Sequence, residues 1–253
     1  MGFYERLQEI PKKCKSYLDK NVSLTLYQYE IKAGFKSYLQ IGWIIIALFL
    51  SLLFTLANRN LVAINFLLTF YVFLGSIIAV VISSVSISGE IGGIADSLLS
   101  KCVKRWEYLL SKFISQITIV CIVYFLIFAL IVGILWNFEL LPDDLNYRNL
   151  FFIIALIGLV LVFFSSIGVM FSSIFSKIIF SVLAGIVVWF LFIFLLMVTN
   201  WEFLYSPFEI LRHFTPILES SWDVEYWKLI LFYIGSPFLF LFVSLIFFYQ
   251  RDL

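Results

Sequence analysis

Six runs of roughly twenty apolar residues dominate this chain and leave few folds open to it. They cover residues 39–57, 61–85, 108–136, 150–175, 178–199 and 229–249. A hydrocarbon core about 30 Å thick takes about 20 helical residues to cross. Backbone groups find no water there, so an apolar run of that length must bond within itself as a helix. Only Ser176 and Lys177 divide the fourth run from the fifth, and together these are too long for one crossing. The expectation is an all-α polytopic membrane protein with six spans. Composition agrees: 63% of the 253 residues are apolar or aromatic and 13% are charged, against about 45–50% and about 25% in soluble domains. The net charge of +1 supplies no basic excess for phosphate backbones, so nucleic acid is excluded as a partner.

The placement of Lys and Arg sets the orientation. With an even number of spans both termini share one side. Residues 1–38, the loop 86–107 with Lys112 beyond it, Lys177 and the C-terminus hold 13 of the 17 basic residues. The opposite segments hold only Arg59, Arg148, Arg212 and Lys228, beside Glu139, Asp143, Asp144, Glu202, Glu209, Glu219, Asp223 and Glu225. Both termini are expected to be cytoplasmic. Residues 1–38 lack the continuous apolar core of a cleavable signal. Cys14 and Cys102 would face the cytoplasm and Cys121 lies within a run, so no external disulfide is expected.

One domain is expected, made of an interfacial segment 1–38 and a transmembrane region 39–253. In the first, Leu24, Tyr27, Ile31, Phe35 and Tyr38 recur at steps of three and four, with Gln28, Lys32 and Lys36 between them. That spacing predicts an amphipathic helix, capped by Ser23, lying apolar face down in the membrane interface. Its alternatives are a plain anchor, formed by Tyr27, Ile31, Phe35, Lys32 and Lys36, or an elbow that also touches a cytoplasmic partner. In the loop after the second run, Gly89, Gly92 and Gly93 break the helix. A short amphipathic stretch follows, with Ile94, Leu98 and Leu99 apolar beside Asp96 and Ser97. Then a basic turn from Lys101 to Arg105 precedes Trp106. Lys104 and Arg105 could meet lipid phosphates, or the loop could dock a partner. The segment 200–228 holds Trp201, Trp222 and Trp227 with Pro207 and Pro216; its pieces 208–214 and 224–226 suggest short helices at the outer interface.

The runs carry almost no ionisable residue in their middle thirds, which argues against ion-coupled transport. His213, the one histidine, lacks an HExxH context, and Asp143–Asp144 lack the ligand number of a calcium site. No metal is expected. No GxxxxGK[ST] occurs, so the chain cannot cradle ATP phosphates itself. Small residues form stripes: Gly75, Ala79 and Ser83 in the second run, Ser165, Gly168, Ser172 and Ser176 in the fourth, Ser181, Ala184 and Gly185 in the fifth. They serve either close helix packing or a weakly polar transport wall.

The loop resembles that of the permease subunit of type-2 ABC transporters. The matching residues are Glu90 at the end of span two, Gly92-Gly93, Leu98-Leu99-Ser100, Arg105 and Lys112. The family's usual proline before the basic residue is absent, with Cys102-Val103 standing near it. The ending FYQRDL at 248–253 is similar to the family's aromatic ending with Arg-Asp-Leu. The resemblance covers the whole chain. It implies an N-terminal elbow helix, six spans, and short re-entrant helices between spans five and six. It also implies a multi-pass subunit of the cell membrane, paired with a second permease, identical or homologous, and with two cytoplasmic ATPases. ATP and Mg would sit on those ATPases, and no cofactor on this chain. Glu90, Gly92, Gly93, Asp96, Leu98, Leu99 and Arg105 would form the coupling surface, where Glu90 and Arg105 could also pair across the loop. Cargo would be apolar or amphipathic, such as a lipid, hydrophobic peptide or drug-like molecule, and export the direction. The competing reading is a non-transporting anchor or sensor subunit.

Overall fold

The structure is a computed structural model that describes residues 22–57, 61–90, 103–142, 145–195, 206–221 and 226–250. Among these the secondary structure is helical throughout. In chain order the elements are α1 (Val22–Gly34), α2 (Tyr38–Ala57), α3 (Leu61–Val85), α4 (Arg105–Asn137), α5 (Tyr147–Ile174), α6 (Ile178–Phe190, continued by Leu191–Leu195), α7 (Pro207–Arg212), α8 (Phe214–Leu218) and α9 (Tyr226–Gln250). Five of them, α2, α3, α4, α5 and α9, are long and apolar enough to cross a membrane. The apolar helix at 178–194 is shorter over its described residues.

The bundle has two recognisable ends. At one lie α1, the turn 86–90 after α3, the start of α4 and the end of α9; the ring of Tyr108 stacks on that of Phe248 with centroids 5.9 Å apart. At the other, α8 sits beside α5 and α7 beside the start of α3, and Asn149 Nδ2 donates to Leu218 O at 2.9 Å and to Ser220 Oγ at 2.7 Å. The short helices expected between the last two runs are therefore present as α7 and α8. Ser206 starts α7, its hydroxyl accepting from Phe208 N with Pro207 in the first turn. The piece expected at 224–226 falls largely outside the described residues.

Helix α5 is the centre of the bundle and the most buried span, flanked by α3, α4, α6 and α9. Lipid offers no hydrophobic gain for helix association, so close backbone approach has to supply it. Gly168 provides such an approach to α3. A Cβ at Gly168 would lie 2.6 Å from Val80 O and 2.7 Å from Ser83 Cβ. Ala79, Ser83, Ser165, Ser172 and Ser181 are buried between helices in this conformation.

Several boundaries differ from the sequence expectation, those of α1 and α4 among them; α5 and α9 each begin three residues before their apolar runs. Helix α1 already includes Val22, so Ser23 stands within its first turn. It ends at Gly34, and Phe35 and Lys36 belong to the turn that leads into α2, where Tyr38 is the first residue. Gly34 lies at the crossing with α4, where a Cβ would come within 2.5 Å of Ile119 Cδ1. Helix α4 begins three residues earlier than the apolar run. The Glu107 carboxylate accepts from Lys104 N at 3.3 Å and stops the chain there, making Arg105 helical.

The Gly168 contact gives a test. Gly168→Ala pushes a methyl into backbone of α3 and should cost about 1–3 kcal/mol as overpacking. Gly133→Ala on α4, where a Cβ meets nothing within 4 Å, should be neutral or add up to about 1 kcal/mol from helix propensity. Unfolding of both purified variants in the same detergent measures the difference.

Candidate functional site

The densest polar chemistry lies where α1, the turn after α3 and the start of α4 meet. Lys112 occupies the third turn of α4. Its position among Leu109, Phe113 and Ser115 leaves its side chain only 3% exposed. An ammonium buried at that level needs counter-charges. Two converge on it: Nζ lies 2.7 Å from Glu30 Oε2 and 2.5 Å from Glu90 Oε1. Glu30 comes from the face of α1 turned toward α4, and its side chain is 10% exposed; that of Glu90 is 27% exposed. Tyr108, one turn before Lys112, donates its hydroxyl to Glu90 Oε2 at 2.7 Å, and the ammonium lies 5.7 Å from the Tyr108 ring centroid. A second link of α1 to α4 is Tyr27 OH, which donates to Thr118 Oγ1 at 3.2 Å.

Local structure delivers Glu90 to this place. The turn after α3 continues the helix for one more round, with Gly89 N bonded to Val85 O and Glu90 N to Ile87 O. Ser172 of α5 holds that round. Its hydroxyl accepts from Ile87 N at 2.9 Å and from Ser88 N at 2.8 Å. Gly89 is required there, since a Cβ would stand 2.8 Å from Val85 O. Ile87, Tyr108, Leu109, Phe113, Val169 and Phe248 form a small separate core beneath the ionic group.

The charges do not balance: two carboxylates share one ammonium. Burial pushes the Glu30 carboxyl above the usual carboxylate range; Lys112 pulls the other way, and Glu90 adds to the rise. The folded chain therefore binds this proton more readily than the unfolded one. Stability from the raised group is complete below the unfolded value and is lost as pH rises through the folded one.

The structure brings together only part of the expected coupling surface. Glu90 pairs with Lys112 and Tyr108, which corrects the pairing with Arg105 considered from the sequence. Arg105 instead donates from its guanidinium to Tyr249 O at 3.1 Å, tying α4 to the end of α9. Gly92, Gly93, Asp96, Leu98 and Leu99 lie outside the described residues. In α1, Lys32 is exposed, while Tyr27 and Ile31 are half-buried, as is Phe35 beyond it. The helix turns its Tyr27, Glu30 and Gly34 side to the bundle, while Leu24 and Tyr29 are exposed. Sequence reasoning missed Glu30 and Tyr108. One signal was available: a lysine inside an apolar run calls for an acid, and Glu30 is the acid of the amphipathic helix.

A helical bundle with five membrane-crossing lengths and a charged cluster confined to one end is a multi-pass membrane protein. Residues 17–253 match the family model described as ABC-2 family transporter protein, and the chain belongs to that family. It is a transmembrane component of an ABC-type transporter, a family whose membrane chains associate with an ABC ATPase. No curated protein matches the sequence.

The ionic group yields two opposed expectations. Lys112→Met strands the buried Glu30 carboxylate beside the half-buried Glu90 and should cost about 3–5 kcal/mol. Glu30→Gln leaves the Lys112–Glu90 pair, so it should lose far less near neutral pH. It should also flatten the fall in stability as pH rises above the ordinary carboxylate range. Melting curves of both variants between pH 4 and about 8 separate these outcomes.

Proposed function

We propose that this chain is the permease subunit of an ATP-driven exporter of apolar or amphipathic molecules, such as lipids, hydrophobic peptides or drug-like compounds. Two copies of a separate cytoplasmic ATPase would hold ATP and Mg, and a second permease, identical or homologous, would complete the membrane part. The supporting observation is the Glu30–Lys112–Glu90 cluster. It fastens α1, the end of α3 and the start of α4 at the place where the segment 91–102 begins and ends. A displacement applied to that segment by a docked ATPase reaches three helices at once, and Arg105 extends the link to α9.

In this reading α1 is the elbow helix and residues 91–102 carry the docking surface, with Asp96, Leu98 and Leu99 on it. The loop end of the bundle is cytoplasmic, as the 13-to-4 division of basic residues favours. Helix α6 is a sixth crossing: its apolar stretch begins beside the turn 175–177 and α7 lies at the opposite end. The absence of charge from the middle of the spans supports an apolar or amphipathic cargo, because a small ion would meet a large desolvation cost there.

The test is reconstitution of the purified complex in liposomes. Leu98→Asp with Leu99→Asp should leave the permease folded and lower ATP hydrolysis at least about tenfold, as expected when a central interface anchor is lost. A variant complex that assembles and hydrolyses ATP at the wild-type rate would remove the coupling role. Cysteine at Glu219 should react with an impermeant reagent from outside, and cysteine at Ser97 should not; the reverse pattern overturns the orientation. ATP hydrolysis that no lipid, peptide or hydrophobic compound stimulates would favour the anchor or sensor subunit.

A further inference from the structure

Helices α3 and α6 run antiparallel and meet in three rungs spaced four residues apart. At the loop end, Ser181 Oγ donates to Ser84 O at 2.9 Å. One turn further, Gly185 admits Val80, whose Cγ1 lies 2.6 Å from where a Cβ would stand. After another turn, Trp189 Nε1 donates to Ser76 Oγ at 2.7 Å. The outer rungs lie eight residues apart on both helices, about 12 Å. Four of the six residues, all except Val80 and Gly185, therefore contribute a hydrogen bond, and all six are buried, in a medium without competing water.

Just beyond the last rung both helices change character. In α3 residues Tyr71–Gly75 form a π turn, in which Ser76 N reaches back five residues to Tyr71 O. In α6 residues Leu191–Leu195 do the same. Because the helices are antiparallel, both π turns lie on the same side of the Trp189–Ser76 bond and at the same level. They face each other: the rings of Phe73 and Phe194 are 6.3 Å apart. Ser76 joins the two features. Its hydroxyl accepts from Trp189 and donates to Val72 O inside the π turn, replacing helical bonding that the turn disturbs. In lipid such freed backbone groups need a side-chain partner. Single π turns are local departures from helical geometry that recur at functional sites and kinks.

We infer that Ser76–Val85 and Ile178–Phe190 form one rigid two-helix lever, and that the paired π turns are its shared hinge, pinned by the Trp189–Ser76 hydrogen bond. Above the hinge, α3 and α6 can reorient without separating below it. The inference deepens the permease reading, since the lever ends next to the turn that presents Glu90. Its geometry nonetheless stands without any ATPase.

Amide hydrogen exchange on the full chain in lipid nanodiscs tests it. Residues 77–84 and 179–188 should exchange at least about tenfold more slowly than 71–76 and 190–195. Trp189→Phe removes the bond between the helices from the α6 side, and Ser76→Ala removes it from the α3 side together with the Ser76–Val72 O bond. Each should speed exchange in both π turns, and the double variant should be no faster than Ser76→Ala alone. A response confined to the helix that bears the substitution, or uniform protection along both helices, overturns the hinge. Neither result touches the permease assignment, which fails separately if no ATPase binds while the exchange pattern is as expected.

Discussion

Lipid as solvent governs this structure. Between helices it removes the driving force that burial provides in water, and what remains is close packing and hydrogen bonding. The arrangement around α5 shows how the chain meets that condition. Gly168 lets α5 touch the backbone of α3, Ser172 bonds two backbone N–H groups at the end of α3, and Tyr124 OH donates to Ile154 O at 2.7 Å from α4. Each contact joins a side chain, or the lack of one, to a neighbour's backbone. Such contacts fix axial position as well as distance, because backbone groups repeat along a helix at set intervals. A bundle held by leucines alone would slide more easily.

The ionic cluster answers a different need. Lys112 lies near the end of its span, where burial is expensive but a carboxylate from outside the membrane can reach. An apolar replacement for the whole triad could be as stable, since desolvation offsets much of the Coulomb attraction. An ion triad adds directionality: α1 is attached to α4 at one register, through one lysine. It also leaves one negative charge in excess, which burial and mutual repulsion of the carboxylates drive toward protonation of Glu30. This joint is strong against shear and sensitive to charge. An element that must transmit movement while staying attached needs that combination.

The spans were legible in the sequence because hydropathy reports length. Runs at 39–57 and 61–85 became α2 and α3 within one residue at each end. Rotation was not legible. The stripe Gly75, Ala79, Ser83 suited either a packing face or a transport wall and named no neighbour; the row that meets α6 is Ser76, Val80, Ser84, one residue on. Ser83 turns to Gly168 of α5 instead. In water, a polar face marks the outside of a helix; in lipid both faces are apolar, so small residues identify a close contact without saying which neighbour makes it. The π turns were hidden for a related reason. YVFLG and LFIFL have no proline and no composition that separates them from the surrounding helix. They lie side by side at one level of α3 and α6, a placement that neither run shows alone. Glu30 was obscured by the helix it sits in, whose lysines and tyrosines read as a membrane-surface pattern. Of the expected coupling residues only Glu90 and Arg105 fall among the described residues, and their partners proved to be Lys112, Tyr108 and Tyr249.

The two polar devices of the bundle lie along one path. The turn 86–90 follows directly on the lever segment Ser76–Val85, and its helical round is kept in shape by Ser172. A force on Glu90 thus enters α3 at its end and cannot be absorbed by local unwinding unless the Ser172 bonds break. The segment from Ser76 to Val85 is about 14 Å long, so a tilt of about 10° at the hinge moves its far end by roughly 2 Å. That is the scale of helix shifts by which packed interfaces switch between arrangements. Because Ser181, Gly185 and Trp189 bind α6 to the same segment, α6 must share the movement below the hinge. The side chains best placed to respond above it are Phe73 and Phe194, which sit in the π turns themselves. Helix α7 abuts this pair through Phe208, 6.5 Å from Phe73. In the proposed permease, a motion that begins at the ionic joint at one end of the bundle would be delivered, through hydrogen-bonded backbone, to an aromatic contact beside the helices at the other end.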